Sequence, residues 1–342
     1  MLRVGLVGIG AMGRGHLDIW LRLMKEEAPV QLVAICDIDK DKFKNKFLPG
    51  NMNIGLEAKY DFTPFHCYQD MGEMLAKEQL DIVDMALPTY IHAPMAIQAL
   101  EAGCHVLCEK PMARTGKQCQ DMIAAAKKAR KKLMIAQCLR FFGEYIYLKD
   151  TIDSGRLGKV EGAYFFRGGD PPLWSYQNWL MQDDKAGGAL LDQHIHDVDT
   201  INWLFGKPDA VSSIGRNIIP GSGYDFVSTN YIYKNGPSVN AQDDWCLYKS
   251  GFGATYRVGF EKGSLTYADG KLWEGNVEED VRKEVKFDKE SGYYREVRYF
   301  IDRIMDKTPM SRVLPQSTAL TIRIAEAEIA SCNKGGIPVK VR

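Results

Sequence analysis

The chain has 342 residues, more than one hydrophobic core usually serves, so two domains are expected. Hydrophobic residues make up 45% and charged residues 26%, and 44 basic side chains meet 44 acidic ones, so the formal net charge is zero. No excess positive field is present to hold nucleic acid or an anionic membrane; the five cationic residues between Lys127 and Lys132 read as a solvated helix end.

The first strand is predicted at residues 2–7, which leaves no room for a leader before it. A glycine-rich turn follows, then a helix over 13–25 and a second strand over 31–36 that ends at Asp37. A mostly polar connection runs to about Pro64. His66 to Tyr68 forms a short strand, with a helix near 71–78, a strong strand over 81–87, a helix over 92–102 and a strand over 105–108. A long amphipathic helix over 117–131 and a strand over 133–138 close the series. Strands alternating with helices call for a parallel sheet covered on both faces.

The pattern then changes. A helix over 144–154 leads to a strand over 160–166, a loop rich in Gly, Pro and Trp over 168–184, and one strong helical pattern over 187–205. From Ala210 to Tyr267 strand follows strand, with turns at Asn235-Gly236, Ser250-Gly251 and Lys262-Gly263, as in a large, mostly antiparallel open sheet. Two helices, over 293–306 and 316–332, end the chain before Gly335-Gly336. The boundary near residues 138–143 separates an α/β domain at 1–137 from an α+β domain at 138–342.

Eight cysteines are present without a Cys-x-x-Cys pair, and they read as reduced, buried small hydrophobes. No apolar run reaches membrane-spanning length. A cytoplasmic protein is expected. Cys104 and Cys108 flank a strand rather than share a helix face, so no metal is expected there.

Gly8-Ile9-Gly10-Ala11-Met12-Gly13 spells G-x-G-x-x-G directly after a strand and at the start of a helix. In that context the first glycine permits a tight turn, the second lets the backbone approach a pyrophosphate, and the third lets helix and strand pack closely. Asp37 closes the second strand 24 positions beyond Gly13, where a carboxylate accepts the hydroxyls of an adenosine ribose and repels a 2′-phosphate. The expected cofactor is NAD, bound to a Rossmann domain, with NADP as the alternative and Lys40 as a residue able to soften the preference.

The turn continues to His16. Further on stand Leu87-Pro88-Thr89-Tyr90-Ile91-His92, then Cys108-Glu109-Lys110-Pro111, then Gly187-Gly188-Ala189-Leu190-Leu191-Asp192-Gln193-His194-Ile195-His196-Asp197. Together these resemble the Gfo/Idh/MocA oxidoreductases, the group that contains glucose–fructose oxidoreductase and inositol dehydrogenases. The resemblance covers essentially the whole chain. It departs at His194, where the family usually has glycine, and at Leu87-Pro88-Thr89, where it commonly has Thr-Pro-Asn.

Asp192 and His196 are four apart in a helical pattern and so are expected on one face, where a carboxylate can orient an imidazole and raise its basicity. Spacing alone leaves a plain surface contact or half of a metal site open. The resemblance implies catalysis, with Lys110 in the active site beside the matching Asp and His. On that reading His196 removes the proton of a secondary alcohol, helped by Lys110. A hydride passes to NAD, and Asp192 steadies His196. Pro88, His92, Glu109 and Arg140 are expected around the cofactor, with Lys110. Trp174, Trp179 and His194 are expected around a sugar, inositol or other polyol. The alternatives are a redox-neutral enzyme that uses tightly bound NAD transiently and a non-catalytic NAD-binding regulator. An open sheet face implies a homodimer or homotetramer.

Overall fold

The computed structural model describes residues 1–47 and 59–342, so the middle of the polar connection before Pro64 lies outside the described residues. These residues form two compact units. One comprises Met1–Ala136, Pro172–Trp179 and Glu296–Gln316; the other comprises Gln137–Pro171, Leu180–Arg295 and Ser317–Arg342. The tryptophan-bearing segment at 172–179 and the stretch Glu296–Gln316 therefore pack with the N-terminal strands.

In the first unit, the described residues form a six-stranded sheet of β1 (Leu2–Val7), β2 (Val30–Cys36), β3 (His66–Tyr68), β4 (Ile82–Met85), β5 (His105–Glu109) and β6 (Leu133–Ala136). Its spatial order is β3-β2-β1-β4-β5-β6, and every pairing is parallel. Val4, Leu6, Ile82, Val83, Val106, Leu107, Met134 and Ile135 are fully buried. This is why the strands read as continuous apolar runs rather than as alternation: helices cover both faces. Those helices are α1 (Ala11–Lys25), α2 (Met71–Lys77), α3 (His92–Glu101) and α4 (Gly116–Ala129). From β1 the chain first builds outward to β2 and β3, then returns to place β4 on the other flank of β1. The strand order reverses there, so the carboxyl ends of β1 and β4 frame the crevice where such sheets bind ligands.

The second unit begins with α5 (Gly143–Ser154) and β7 (Val160–Gly168), followed by α6 (Gly188–Asp192) and α7 (Ile195–Phe205). Then come β8 (Ala210–Arg216), β9 (Phe226–Ile232), β10 (Ser238–Asp244), β11 (Gly253–Phe260), β12 (Gly263–Ala268), β13 (Lys271–Asn276) and β14 (Val281–Val285). Helix α8 (Gly292–Met305) leads out of this unit, and α9 (Pro315–Cys332) and β15 (Val339–Lys340) end the chain. Among the described residues nine strands join in the order β14-β13-β12-β11-β7-β10-β9-β8-β15. Asn235-Gly236 and Lys262-Gly263 do turn antiparallel hairpins. Ser250-Gly251 does not. The chain there crosses β7, so β10 and β11 lie on opposite sides of it, and β7–β10 is a parallel pair. The sheet also runs past Tyr267 into β13 and β14.

Two further expectations are corrected. The cysteines are all free, but only five are buried: Cys67 is exposed, because β3 is a short edge strand, and Cys246 and Cys332 are half-buried. The pattern over 187–205 is two helices, not one. The amides of Gln193 and His194 both donate to the carbonyl of Ala189, at 2.9 and 2.8 Å, and this wide turn separates α6 from α7. No helix among the described residues is long and apolar enough to cross a membrane.

Candidate active site

The glycine turn is built as its spacing predicts. Gly8 has φ +86°, and a Cβ there would lie 2.4 Å from the Ala86 carbonyl oxygen. A Cβ on Gly13 would lie 1.9 Å from the Gly8 carbonyl oxygen, which lets α1 begin at Ala11 and pass directly under the turn. Gly10, the N-cap of α1, faces open space and supplies no side-chain cap. The Ile9 side chain is fully buried, while Ala11 and Met12 are half-exposed in the first turn of the helix. The helix start without a side-chain cap and the open space over Gly10 are features that can hold an anion such as a pyrophosphate.

Asp37 is nearly buried beside it. Its Oδ2 accepts the Ile9 N–H and Lys42 Nζ, both at 2.8 Å, and its Oδ1 accepts the Asp39 N–H at 2.9 Å. Lys40, the residue expected to soften the acid, is exposed; Lys42 is the one that reaches it.

At the ends of β4 and β5, Pro88 caps a short 3-10 turn and remains half-exposed. His92, expected beside a ribose, has both ring nitrogens engaged by backbone carbonyls. It is fully buried, with Nδ1 2.8 Å from the Pro111 carbonyl oxygen and Nε2 2.8 Å from that of Leu87. Burial lowers its pKa, so the neutral ring donates one of these bonds. The imidazole staples the loops after β4 and β5 together, fixing the segment that carries Lys110 at the end of β5.

Glu109 also turns inward, away from the ribose role. Its Oε1 is 3.1 Å from His16 Nε2, and its Oε2 accepts the Lys110 N–H at 3.0 Å. His16 Nδ1 is 2.8 Å from Asp84 Oδ2, which also takes the Trp20 Nε1–H at 2.6 Å. Burial alone would lower the His16 pKa, but Asp84 and Glu109 outweigh it and hold it well above 6.5. His16 is therefore an imidazolium between two carboxylates. Glu296 completes the group: one ligand-type atom from each of His16, Glu109 and Glu296 lies within 4.8 Å of the others. Neither carboxyl oxygen of Glu296 has a hydrogen-bond partner among the described residues.

Burial, then the charge of Glu109, pushes the Glu296 pKa well above 4.5. A carboxyl with a raised folded pKa contributes its stability fully below its unfolded value and loses it as pH rises through the folded one. Glu296→Gln, neutral at every pH, is expected to be more stable than the native chain above pH 4.5. The gain should grow toward neutrality to roughly 1–3 kcal/mol. Thermal melts of both proteins between pH 5 and 8 check this; a loss of stability constant across that range would contradict it.

In the second unit the break at Gln193-His194 interrupts the hydrogen-bond ladder between Asp192 and His196, although both break residues keep right-handed helical φ/ψ. A tertiary clamp holds the break. Trp245 Nε1 donates to Gln193 Oε1 at 3.1 Å, and Gln193 Nε2 donates to Asp243 Oδ1 at 3.3 Å. Asp243 is fully buried, and burial, then the charge of Asp197, raises its pKa well above the carboxylate range. Asp197 is held by Arg167 at 3.1 and 3.2 Å. Asp192, Gln193 and His196 stay half-exposed around the break, while His194 and Asp197 point inward.

His194, expected around the substrate, is instead packed inside the unit. Its ring is fully buried, with Nε2 3.2 Å from the Tyr231 hydroxyl on β9 and 3.7 Å from Glu328 Oε2 on α9. The wide turn aims it into the unit's interior. Arg140, expected around the cofactor, makes a two-point ion pair with Asp199 at 2.7 and 2.8 Å and donates to Ser317 Oγ at 3.0 Å. Thr321 Oγ1 donates to Asp199 at 2.9 Å, so this buried charge pair ties Arg140, in the 3-10 turn Cys138–Phe141, to α7 and α9. Trp174 and Trp179 are half-buried in the segment that belongs to the first unit. Trp174 Nε1 is buried without a hydrogen-bond partner among the described residues.

Sequence reasoning missed Lys42, Gln193 and Glu296, while the strands near Asp243 to Trp245 were expected to shape the pocket. Only Gln193 lay inside a recognised motif. The others reach their places through contacts that no local spacing encodes.

Residues 2–137 match the family described as an oxidoreductase family with an NAD-binding Rossmann fold, and residues 145–266 match the GFO/IDH/MocA C-terminal domain. The chain is 28% identical over 214 residues to 2,7-anhydro-N-acetylneuraminate hydratase of Mediterraneibacter gnavus, covering 62% of this chain and 53% of that protein. It is 29% identical over 210 residues to inositol 2-dehydrogenase of Salmonella typhimurium, covering 60% of this chain and 55% of that protein. The chain thus spans about half the length of the curated relatives it matches. In fold it resembles a levoglucosan dehydrogenase solved in complex with NADH and levoglucosan, with a TM-score of 0.84 at 22% identity over 99% of each chain.

Proposed function

The chain belongs to the GFO/IDH/MocA oxidoreductase family, and from that premise we propose that it transfers a hydride between a secondary alcohol of a sugar, inositol or related polyol and NAD. The observation that carries this is the cradle of Gly8, Gly10 and Gly13 at the uncapped start of α1, with Asp37 beside it at the point where strand order reverses.

NAD supplies the hydride acceptor, the nicotinamide ring carbon C4. The chain supplies the rest. Backbone amides at Gly10 to Met12 hold the pyrophosphate, Asp37 accepts ribose hydroxyls, and Pro88 shapes the nicotinamide side. Lys110, placed by the His92 staple at the end of β5, donates a hydrogen bond to the reacting oxygen. In the second unit, an imidazole nitrogen of His196 takes the hydroxyl proton as the carbinol C–H bond breaks and the C=O bond forms. Asp192 orients the ring and stabilises its charged form. Trp174 and Trp179 offer apolar faces to a sugar.

A redox-neutral course has one observation in its favour, the relative named as a hydratase. Both readings are tested by incubating the full chain with NAD⁺ and a panel of polyols, aldoses, inositols and anhydrosugars while reading the absorbance of reduced nicotinamide. Net reduction with one of these supports the dehydrogenase. Conversion of a sugar without net reduction supports the redox-neutral enzyme, and no conversion by a chain that binds NAD counts against both.

A further inference from the structure

An acid at the end of β2 ordinarily selects NAD, because its charge repels the 2′-phosphate of NADP. In this chain that charge is already met. Lys42 Nζ sits 2.8 Å from Asp37 Oδ2, and the two side chains are only 12% and 4% exposed. The remaining bonds to Asp37 come from the backbone amides of Ile9 and Asp39, so the carboxylate is locked to the glycine turn on one side and to the ammonium on the other.

Local structure puts Lys42 there. A short 3-10 helix spans Lys40–Lys44, and its N-cap Asp39 accepts the Asp41 N–H at 3.0 Å. That winding turns Lys42 toward Asp37 and leaves Lys40 and Lys44 in solvent. The ring of Tyr176, from the segment that packs with this unit, lies 5.8 Å from Lys42 Nζ. An ammonium this enclosed is screened less by salt than a surface lysine.

We propose that Lys42 is the residue that sets the choice between NAD and NADP, and that it makes the chain accept both. The proposal rests on the dinucleotide reading above. With NAD, Asp37 Oδ1, which among the described residues accepts only the Asp39 N–H, keeps a lone pair for a ribose hydroxyl while the ammonium stays paired. With NADP, the 2′-phosphate, itself doubly charged or nearly so, takes the ammonium as its counter-ion in place of the carboxylate.

The test is titration of the full chain with NADH and with NADPH, read by calorimetry at low and moderate salt, for the native protein, Lys42→Met and Lys42→Arg. Methionine keeps a stem of similar length beneath Tyr176 and removes only the charge, and a thermal melt shows whether each variant is folded. The native chain is expected to bind both nucleotides within about tenfold of each other. Lys42→Met should raise the ratio of NADPH to NADH dissociation constants by about tenfold to a hundredfold, as loss of one charge-assisted hydrogen bond implies. Lys42→Arg should restore the ratio, and NADPH binding should weaken more steeply with salt than NADH binding. A ratio unchanged in Lys42→Met, or a native chain that rejects NADPH while binding NADH, overturns the proposal and leaves the dinucleotide reading intact. Failure of both nucleotides to bind overturns that reading as well.

Discussion

His196→Ala is expected to lower turnover by about 10²- to 10⁴-fold while binding of NADH persists. The proposed chemistry requires a base for the hydroxyl proton, and His196 is the imidazole that stays half-exposed at the break between α6 and α7. The contacts of the glycine turn and of Asp37 with Ile9, Asp39, Lys42, Tyr68 and Ala86 do not include it. Turnover and nucleotide affinity should therefore separate. Added free imidazole should restore part of the lost rate, which a purely structural role would not allow. Asp192→Asn should cost less, since the amide still orients the ring but no longer stabilises its charged form. Unchanged turnover in His196→Ala would remove this residue from the mechanism.

The second large effect lies in the cradle. Gly13→Ala places a methyl group 1.9 Å from the Gly8 carbonyl oxygen, a backbone atom that no rotamer change can move aside. Either α1 shifts away from β1 or the turn opens, and both lose tight packing. A loss of more than about 3 kcal/mol is expected, together with loss of nucleotide binding. Gly10→Ala is the informative contrast. Its Cβ would meet nothing within 4 Å, so stability should hold while the methyl group stands where the pyrophosphate must approach. Thermal melts and NADH titrations of the two variants check this. Equal destabilisation of both would show that Gly10 serves the fold rather than the ligand.

The first unit was largely legible in the sequence for a physical reason. Strands buried on both faces must be apolar throughout, so Ile82 to Met85 and Val106 to Cys108 announce themselves, and the glycine spacing is demanded by steric contacts that the structure displays. Legibility stopped wherever a distant side chain decides local geometry. The break after Asp192 depends on Trp245 and Asp243, some fifty residues away, so the apolar period over 187–205 reads as one helix. The buried staple made by His92 was not foreseen because its partners, Leu87 and Pro111, are backbone carbonyls, which leave no mark in sequence. Lys40 and Lys42 differ only in the winding of a single 3-10 turn. Arg140 lies in a 3-10 turn four residues past the end of β6, and its partners Asp199 and Ser317 lie on elements far along the chain.

The central claim is hydride transfer from a carbinol carbon to nicotinamide. The most direct test uses polyols and aldoses deuterated at every carbon, incubated with the full chain and NAD⁺, followed by mass spectrometry of the nucleotide and the sugar. The account predicts reduced nicotinamide carrying one deuterium per molecule, formed in step with a carbonyl product. Unlabelled reduced nicotinamide, or a converted sugar that keeps its full label with no net reduced nicotinamide, would contradict it.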